Sequence, residues 1–273
     1  MSATARLAGF AAVLALLFGG AAVAGGAIDV DRAEPEPERG DAHGGEEMAM
    51  EAEPVRGLAV SDDGLTLELD HRDGELALRV ADRRGRTVRD FDVEHTKRMH
   101  VIVVRRDMTG FQHLHPRQQP DGTWTVPLRL ERAGSYRVFA DFARRGEAHT
   151  LAGDLTVDGD FRATPLPAPA PVAETDGLQV RLEQGAGRAG VESGLRFTVT
   201  RDGRPVAVED YLGAKGHLVA LREGDLAFLH VHPDERSLRF EATFPTAGRY
   251  RLFLQFRAEG RVHTVAFTQE VTR

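Results

Sequence analysis

The sequence predicts an all-β protein of two tandem immunoglobulin-like (Greek-key) β-sandwich repeats that follow an N-terminal signal or anchor segment. Short runs of alternating or β-branched residues are separated by Gly, Asp and Arg turns, which is typical of strands. No stretch keeps a helical apolar period across three turns. The second half of the chain also repeats the first. With 273 residues, 41% of them hydrophobic, the chain can form two modest domains with apolar cores.

Residues 1–27 predict a signal peptide or an N-terminal membrane anchor. Arg6 gives a positive start, and Ala22 to Ala24 form a small-x-small cleavage site after an apolar stretch. An uncleaved anchor through residues 7–27 stays open because the apolar run approaches the length of a membrane span. In either case we expect the remaining chain outside the cytoplasm, secreted or at the cell surface.

Two segments without strand patterns divide the rest of the chain. Residues 28–55 are acidic with hardly any large apolar side chain, which indicates a disordered spacer. Residues 161–171 contain the alternating Pro of PLPAPAP (165–171) and predict an extended linker. The two β-sandwich repeats are therefore expected at 56–160 and 172–273.

The repeats share two long blocks of sequence. KRMHVIVVRRDMTGFQHLHP (97–116) aligns without a gap with AKGHLVALREGDLAFLHVHP (214–233), and AGSYRVFADFARRGEAHT (133–150) aligns with AGRYRLFLQFRAEGRVHT (247–264). A period this long indicates tandem domains rather than a solenoid. In the second block, Tyr136 and Tyr250 stand where immunoglobulin-like domains carry a tyrosine corner.

Eight of the eleven histidines form two matching sets, and these are the candidate metal ligands. The spacing of the first three, thirteen and then two residues, is identical in both copies. All four members persist in both repeats although their neighbours differ, as Gln112 differs from Leu229. The two sets are His100, His113, His115 and His149, and His217, His230, His232 and His263.

Strand geometry brings three members of each set together. Residues i and i+2 of a strand face the same way, so His113 and His115 share a face. If Val104 pairs with Phe111 across the hairpin, His100 pairs with His115, at a Cβ separation of about 4.5–5.5 Å. The same register places His217 opposite His232.

The fourth histidine of the set is harder to place. We expect His149 to pair with Ala140 on the apolar face of the last hairpin, half buried near the space between the sheets. Whether His149 and His263 join the other three depends on the order of the strands in the sheets, which the sequence does not specify.

Three or four imidazoles in one place suit a borderline divalent metal, and copper or zinc is the expected cofactor. Zn²⁺ accepts tetrahedral nitrogen ligands, whereas Cu²⁺ prefers tetragonal nitrogen sites. The simplest model has one site in each repeat. A structural histidine cluster and a patch that recognises a partner are the alternatives, because a gene duplication also copies structural residues.

Composition excludes several function classes. The chain has no Cys, which excludes disulfides, thiolate-bound metals, thiol catalysis and a lipoprotein anchor. A net charge of −7 offers no basic surface for nucleic acid. No nucleophile elbow, phosphate loop or matched pair of catalytic carboxylates is present, so the protein is not expected to be an enzyme. A small metalloenzyme would need an open position on the metal.

The block KGHLVALREGDLAFLHVHP, followed by AGRYRLFLQF, resembles uncharacterised secreted, heavy-metal-associated proteins of high-GC Gram-positive bacteria. It is more loosely similar to extracytoplasmic β-sandwich domains of the YtkA and CopC kinds. The resemblance implies an immunoglobulin-like fold and a copper or heavy-metal role. The N-terminal mature histidine that is typical of CopC-type Cu²⁺ sites is missing, so that chemistry does not carry over.

The sequence therefore predicts an exported copper- or zinc-binding protein that buffers, delivers or senses the metal at the cell surface. The alternative is an adhesion or scaffold module whose histidines are structural. The expected partners are a metal ion, with another cell-surface protein left open, and no nucleic acid. Contact with a membrane is expected only through residues 7–27, if the signal is uncleaved.

Overall fold

The structure is a computed structural model and describes residues 55–185, 187–229 and 231–273. Within these ranges all regular secondary structure is β-strand, which confirms the all-β prediction. The described ranges contain no helix that could span a membrane. The predicted signal or anchor (1–27) and almost all of the spacer (28–55) lie outside the described residues.

Domain 1 is formed by nine strands. They are β1 Ser61–Asp62, β2 Leu65–Arg72, β3 Glu75–Ala81, β4 His100–Arg105, β5 Gln112–Leu114, β6 Arg117–Gln118, β7 Trp124–Pro127, β8 Gly134–Arg144 and β9 Glu147–Val157. A five-stranded sheet has the order β1-β2-β3-β7-β6, and a four-stranded sheet, called front sheet 1, has the order β5-β4-β8-β9. Because β5 pairs with β4 and β6 pairs with β7, the chain crosses between the sheets just after His115.

Domain 2 repeats this architecture with ten strands. They are β10 Val172–Thr175, β11 Leu178–Gln184, β12 Glu192–Arg201, β13 Arg204–Pro205, β14 Gly216–Arg222, β15 Phe228–Leu229, β16 His232–Pro233, β17 Arg239–Thr243, β18 Gly248–Ala258 and β19 Arg261–Val271. One sheet has the order β10-β11-β12-β17-β16, with β13 paired to β12, and front sheet 2 has the order β15-β14-β18-β19. The chain is thus a tandem pair of β-sandwiches, as predicted.

Two-residue turns with glycine in second place fix several hairpins. Asp73 and Gly74 join β2 to β3 with φ of 51° and 77°, and Arg145 and Gly146 join β8 to β9 with φ of 55° and 81°. Positive φ at both positions matches the right-handed twist of the flanking strands. Glycine adopts this conformation without the steric cost that a Cβ would add.

Each domain has the tyrosine corner that the sequence predicts. The hydroxyl of Tyr136 donates to the carbonyl of Arg132 at 2.8 Å, and that of Tyr250 donates to the carbonyl of Thr246 at 2.9 Å. Both tyrosines are almost fully buried. The hydrogen bond ties the loop that precedes β8 or β18 to the body of the sandwich.

Besides the core inside each sandwich, a third apolar cluster lies between the two front sheets. It explains why all six residues of β4 are buried. Val101 and Val103 point into the core of domain 1, whereas Ile102 and Val104 join the third cluster together with Phe253 of domain 2. The two domains therefore dock through their front sheets.

Candidate metal centre at the domain interface

Aromatic side chains hold the two front sheets together in a nearly symmetric way. Phe111 stacks on Phe253 with ring centres 4.1 Å apart, and Phe139 contacts Phe228 at 5.4 Å. Phe111 and Phe228 are equivalent in the repeat alignment, as are Phe139 and Phe253. Each contact is thus repeated with the roles of the domains exchanged, which relates the domains by an approximate two-fold axis.

The β4–β5 hairpin has the register that the sequence predicts. Val101 pairs with Leu114 and Ile102 pairs with His113, so one further step places His100 opposite His115. Because Ile102 faces domain 2, its neighbour His113 faces the interface as well.

Three imidazoles meet at this end of front sheet 1, and together they are called the interface triad: His100, His113 and His115. His100 Nδ1 lies 3.0 Å from His113 Nε2. The ring centres are 5.3 Å apart for His100 and His113, 5.1 Å for His100 and His115, and 4.8 Å for His113 and His115. One nitrogen of each ring lies within 4.8 Å of the other two.

The second nitrogens of two triad rings face oxygen acceptors. His100 Nε2 lies 3.4 Å from the carbonyl oxygen of Glu94. His113 Nδ1 lies 2.9 Å from Oε1 of Gln255, whose Nε2 donates to Thr264 Oγ1 at 3.0 Å. With the ring protons on these outer nitrogens, the lone pairs of His100 and His113 face each other, an arrangement that a cation between them would stabilise.

His115 presents a further nitrogen to the site. Its Nε2 is buried and has no hydrogen-bond partner among the described residues. A buried polar atom without a partner is costly and calls for an explanation, such as an ion or a water molecule. A metal ion held by the triad would provide the missing partner.

Burial keeps the histidines of the site neutral. Desolvation lowers the pKa of His100 and of His115 from 6.5 to about 4, and lowers the pKa of His113 well below 6.5. Electrostatic repulsion from neighbouring histidines and Lys97 lowers the pKa of His100 and of His115 further, by a smaller amount. Imidazole binds a metal only in the neutral form, so these rings are in the ligating state at pH 7.

His217 of domain 2 faces the triad across the interface. Its ring centre lies 6.4 Å from that of His100 and 6.1 Å from that of His113. Its Nε2 bonds the carbonyl of Tyr211 at 3.0 Å, which repeats the His100–Glu94 contact of domain 1. Desolvation lowers its pKa to about 4 as well.

The remaining ligands predicted in domain 2 are only partly described. Ala220 pairs with Leu229 and Leu221 with Phe228, the register that the sequence predicts for this hairpin. His230 and the side chain of His232 lie outside the described part of the structure. The backbone of His232 pairs with Glu241 of the other sheet of domain 2, so the predicted pairing of His232 with His217 is wrong: the chain has already crossed to the other sheet at that point.

Sequence reasoning missed two residues of this site, His95 and Gln255. His95 sits in a tight turn at φ 46°, and its ring centre lies 5.5 Å from that of His217. It has no histidine counterpart in domain 2, so comparison of the two repeats does not identify it as a candidate. For Gln255 there was a signal, since it and its equivalent Asp141 interrupt otherwise apolar strands in both copies.

A small cavity lies beside the histidines. Its volume is about 60 Å³, and His95, His100, His113 and His217 line it together with Asp141. A single water molecule needs only about 10–15 Å³ of such space, so the cavity is large enough for an ion with water.

The fourth histidine of each set lies elsewhere. His149 pairs with Phe142, not with Ala140 as predicted, because the hairpin turns over Arg145 and Gly146 alone. The shift is two residues, so His149 keeps the expected buried face and stacks on Phe142 at 5.4 Å. Its nearest potential co-ligands are the exposed Asp63 and Glu147, not the triad.

His263 is the equivalent of His149 in domain 2. Its Nδ1 lies 2.8 Å from Asp176 Oδ2, and its Nε2 lies 3.1 Å from the carbonyl oxygen of Ala258. Its ring stacks on Phe256 with centres 5.4 Å apart. Both nitrogens already face oxygen acceptors, so binding an ion would require the loss of a hydrogen bond.

Comparison with solved structures finds matches at low identity. The FN1–FN3 domains of chicken CNTN1 share 11% identity over 80% of this chain and 69% of theirs, with a TM-score of 0.23. Invasin, a bacterial integrin-binding protein, shares 13% over 76% of this chain and 38% of its own, with a TM-score of 0.21. The titin domains z1z2, solved with telethonin, share 13% over 80% and 92%, with a TM-score of 0.20.

No curated protein matches the chain. One family model matches it twice, over residues 57–159 and 173–273, and is described as a domain of unknown function, DUF8832. The two matches cover both sandwiches and more than half of the chain. The protein therefore belongs to the DUF8832 family, of which it carries two tandem copies.

Proposed function

We propose that this protein is an exported transition-metal-binding protein whose centre is built on the interface triad. The observation that carries the proposal is the convergence of one nitrogen each from His100, His113 and His115 to within 4.8 Å of one another. Export is inferred from the apolar N-terminal sequence and its cleavage motif.

The spacing of the rings suits a single ion. Metal–nitrogen bonds of about 2.0–2.1 Å in a tetrahedral site separate the ring centres of two imidazoles by roughly 5 Å. The three observed separations are 4.8, 5.1 and 5.3 Å. The 3.0 Å between His100 Nδ1 and His113 Nε2 also falls near the roughly 3 Å that neighbouring ligand nitrogens adopt around Cu²⁺ or Zn²⁺.

Copper and zinc are the metals that fit this ligand set. Imidazole nitrogen suits both ions, while the chain has no thiolate to offer. The outer hydrogen bonds of His100 and His113 to Glu94 and Gln255 are the second-shell contacts that orient ligating histidines in metal sites. Buffering, delivery or sensing of the metal at the cell surface follows from a bound ion on an exported protein.

A scaffold or adhesion module is the second candidate function. The apolar cluster between the front sheets, with Phe111 stacked on Phe253, favours a rigid two-domain unit. In that case the contact of His113 with Gln255 would serve only to fix the domains to each other. Metal binding by the purified protein separates the two candidates.

Calorimetric titration of Cu²⁺ and of Zn²⁺ into the mature, untagged protein tests the proposal. We expect stoichiometric binding at micromolar protein concentration, with two equivalents if the second histidine set also binds an ion. His113→Ala combined with His115→Ala should remove the equivalent bound by domain 1. His71→Ala is the matched control, since this half-buried domain 1 histidine bonds the carbonyl of Leu128, away from the triad. Absence of stoichiometric binding by the wild type would leave the scaffold function as the better account.

A further inference from the structure

We infer that the metal centre of domain 1 is completed by domain 2, with Gln255 as a positioning residue and His217 as the fourth imidazole. The inference rests on the proposed function and deepens it, because it makes metal binding dependent on the docking of the two domains. Neither residue belongs to the repeat that carries the triad.

Gln255 reaches the triad from front sheet 2. Gln255 lies on β18, opposite His217 of β14. Its side chain crosses the interface, and its Oε1 lies 2.9 Å from His113 Nδ1. Thr264 Oγ1 accepts from Gln255 Nε2 at 3.0 Å, which turns the amide oxygen toward the histidine. The proton of this hydrogen bond sits on His113 Nδ1, so the lone pair of His113 Nε2 is directed at His100.

Domain 1 offers an equivalent arrangement at the same place. Asp141 aligns with Gln255 and is paired with His100 in the register of β4 and β8, and Thr150 Oγ1 donates to it at 2.7 Å. Asp141 also lines the cavity beside the histidines. The fold thus accommodates either an amide or a carboxylate as the hydrogen-bond acceptor at this position.

Among the histidine rings of domain 2 that the structure describes, that of His217 lies nearest to the triad. Its ring centre lies 6.1 Å from that of His113 and 6.4 Å from that of His100. These separations exceed the roughly 5 Å of two rings on one tetrahedral ion by about 1 Å. A small rotation of the side chain can close that gap, and the cavity between the rings leaves room for it.

The docking surface keeps these residues in place. Gly57 runs between Phe139 and Phe228 with so little space that a Cβ would lie 2.8 Å from ring atoms of Phe139 and from the Cβ of Phe228. The amide of Phe228 also donates to the carbonyl of Arg56 at 3.0 Å. The backbone of residues 56–57, at the start of domain 1, is therefore held between the front sheets, and the interface between the domains is closely packed. A bound ion shared across it would add to the docking free energy by mass action.

The test uses the full chain in a background that lacks the second set, His230→Ala with His232→Ala. In this background Zn²⁺ titration should retain one equivalent. Adding Gln255→Leu should weaken Zn²⁺ binding by about 10- to 100-fold, the usual effect of losing the hydrogen-bond partner of a ligating histidine. Adding Gln255→Glu should restore affinity to within about threefold of the background, because a carboxylate oxygen also accepts a hydrogen bond from His113 Nδ1. Gln119→Leu, on the surface of domain 1, is the control and should leave affinity unchanged.

Two readouts keep the test decisive if Gln255→Leu destabilises the fold. The Cu²⁺ electron paramagnetic resonance spectrum of the background should change when His217→Phe is added, since one nitrogen ligand is lost. Loss of all binding in the background itself would contradict the inference, because the triad, Gln255 and His217 are all intact there. One equivalent with unchanged affinity in Gln255→Leu and an unchanged spectrum in His217→Phe would overturn the inference while leaving the proposed function intact. A wild type that binds no metal would overturn both.

Discussion

The protein carries two kinds of duplicated, buried histidine, and they differ in what their nitrogens meet. His263 is 1% exposed, and both of its nitrogens face oxygen, from Asp176 and from the carbonyl of Ala258. His100 is 8% exposed, and one of its nitrogens faces a carbonyl while the other faces His113. Both kinds of histidine are thus buried and present in both repeats. They differ only in the group that the second ring nitrogen faces.

The comparison shows how a metal candidate can be distinguished from a structural histidine in a duplicated fold. A structural ring has a protein group within hydrogen-bond distance of each nitrogen, as His263 has. A ligating ring bonds one nitrogen to a second-shell oxygen and leaves the other directed at further ligands. His263 belongs to the first kind, and the interface triad belongs to the second.

The largest expected difference between the two kinds of histidine is the effect of their substitution on metal affinity. His100→Ala should weaken Zn²⁺ binding by domain 1 by at least about 100-fold, because it removes one of three converging ligands. His149→Ala should leave that affinity unchanged, because His149 lies against Phe142 and not in the triad. Titration of both variants under identical conditions makes the comparison. Equal losses in the two variants would erase the distinction between the two kinds of histidine.

The next effect is on the pH dependence of stability without metal. Burial lowers the pKa of His100 and of His217 from 6.5 in the unfolded chain to about 4 in the folded one. The unfolded state therefore takes up protons first as pH falls. The associated stability is fully present above about pH 6.5 and is lost between about 6.5 and 4, with a total on the order of a few kcal/mol.

Urea unfolding of the metal-free protein at a series of pH values measures this loss. Combined His100→Phe and His217→Phe substitutions should make the dependence between pH 6.5 and 4 less steep, because Phe does not titrate, while the buried His113 and His115 still contribute. A wild-type curve that is already flat in this range would show that the interface histidines are not desolvated in solution.

A smaller effect is expected at the structural pair. His263→Ala should lower the free energy of unfolding by about 2 kcal/mol, because it removes a buried ring and leaves the carbonyl of Ala258 without its partner. Metal affinity of domain 1 should not change. Chemical denaturation and a Zn²⁺ titration of the same sample check both halves of the prediction, and a loss of affinity without a loss of stability would reverse the assignment.

The smallest effect concerns the tyrosine corners, which compare the two domains directly. Tyr136→Phe and Tyr250→Phe should each cost about 1 kcal/mol, since each loses one hydrogen bond to a backbone carbonyl. Thermal or urea unfolding of the two variants measures the costs. An unchanged midpoint in either variant would show that the corner contributes nothing in that domain.

Much of the local geometry could be predicted from the sequence. The strand pattern and the repeat indicate the sandwich pair, and the spacing of His100, His113 and His115 predicts their meeting because strand periodicity and hairpin register are local properties. The pairing of His149 was wrong by two residues because a hairpin of two turn residues was not recognised at Arg145 and Gly146. A primed turn with glycine in second place would have indicated it.

The approach of His217 and Gln255 to the triad could not be predicted in the same way. It depends on which faces of the two domains dock, and docking is a long-range property of the folded chain. One signal was present: VIVV, from Val101 to Val104, lacks the alternation of a half-exposed strand. A strand that is apolar on both faces must be covered on both, and in this molecule the second cover is the other domain.

X-ray absorption at the zinc edge, on protein loaded with one equivalent of Zn²⁺, tests the central claim most directly. The account predicts a first shell of at least three imidazole nitrogens at about 2.0–2.1 Å, with the multiple-scattering pattern of histidine rings. The spectrum should lose imidazole scattering in the His113→Ala, His115→Ala variant. A first shell dominated by oxygen, or a spectrum that this variant leaves unchanged, would contradict a metal centre on the interface triad.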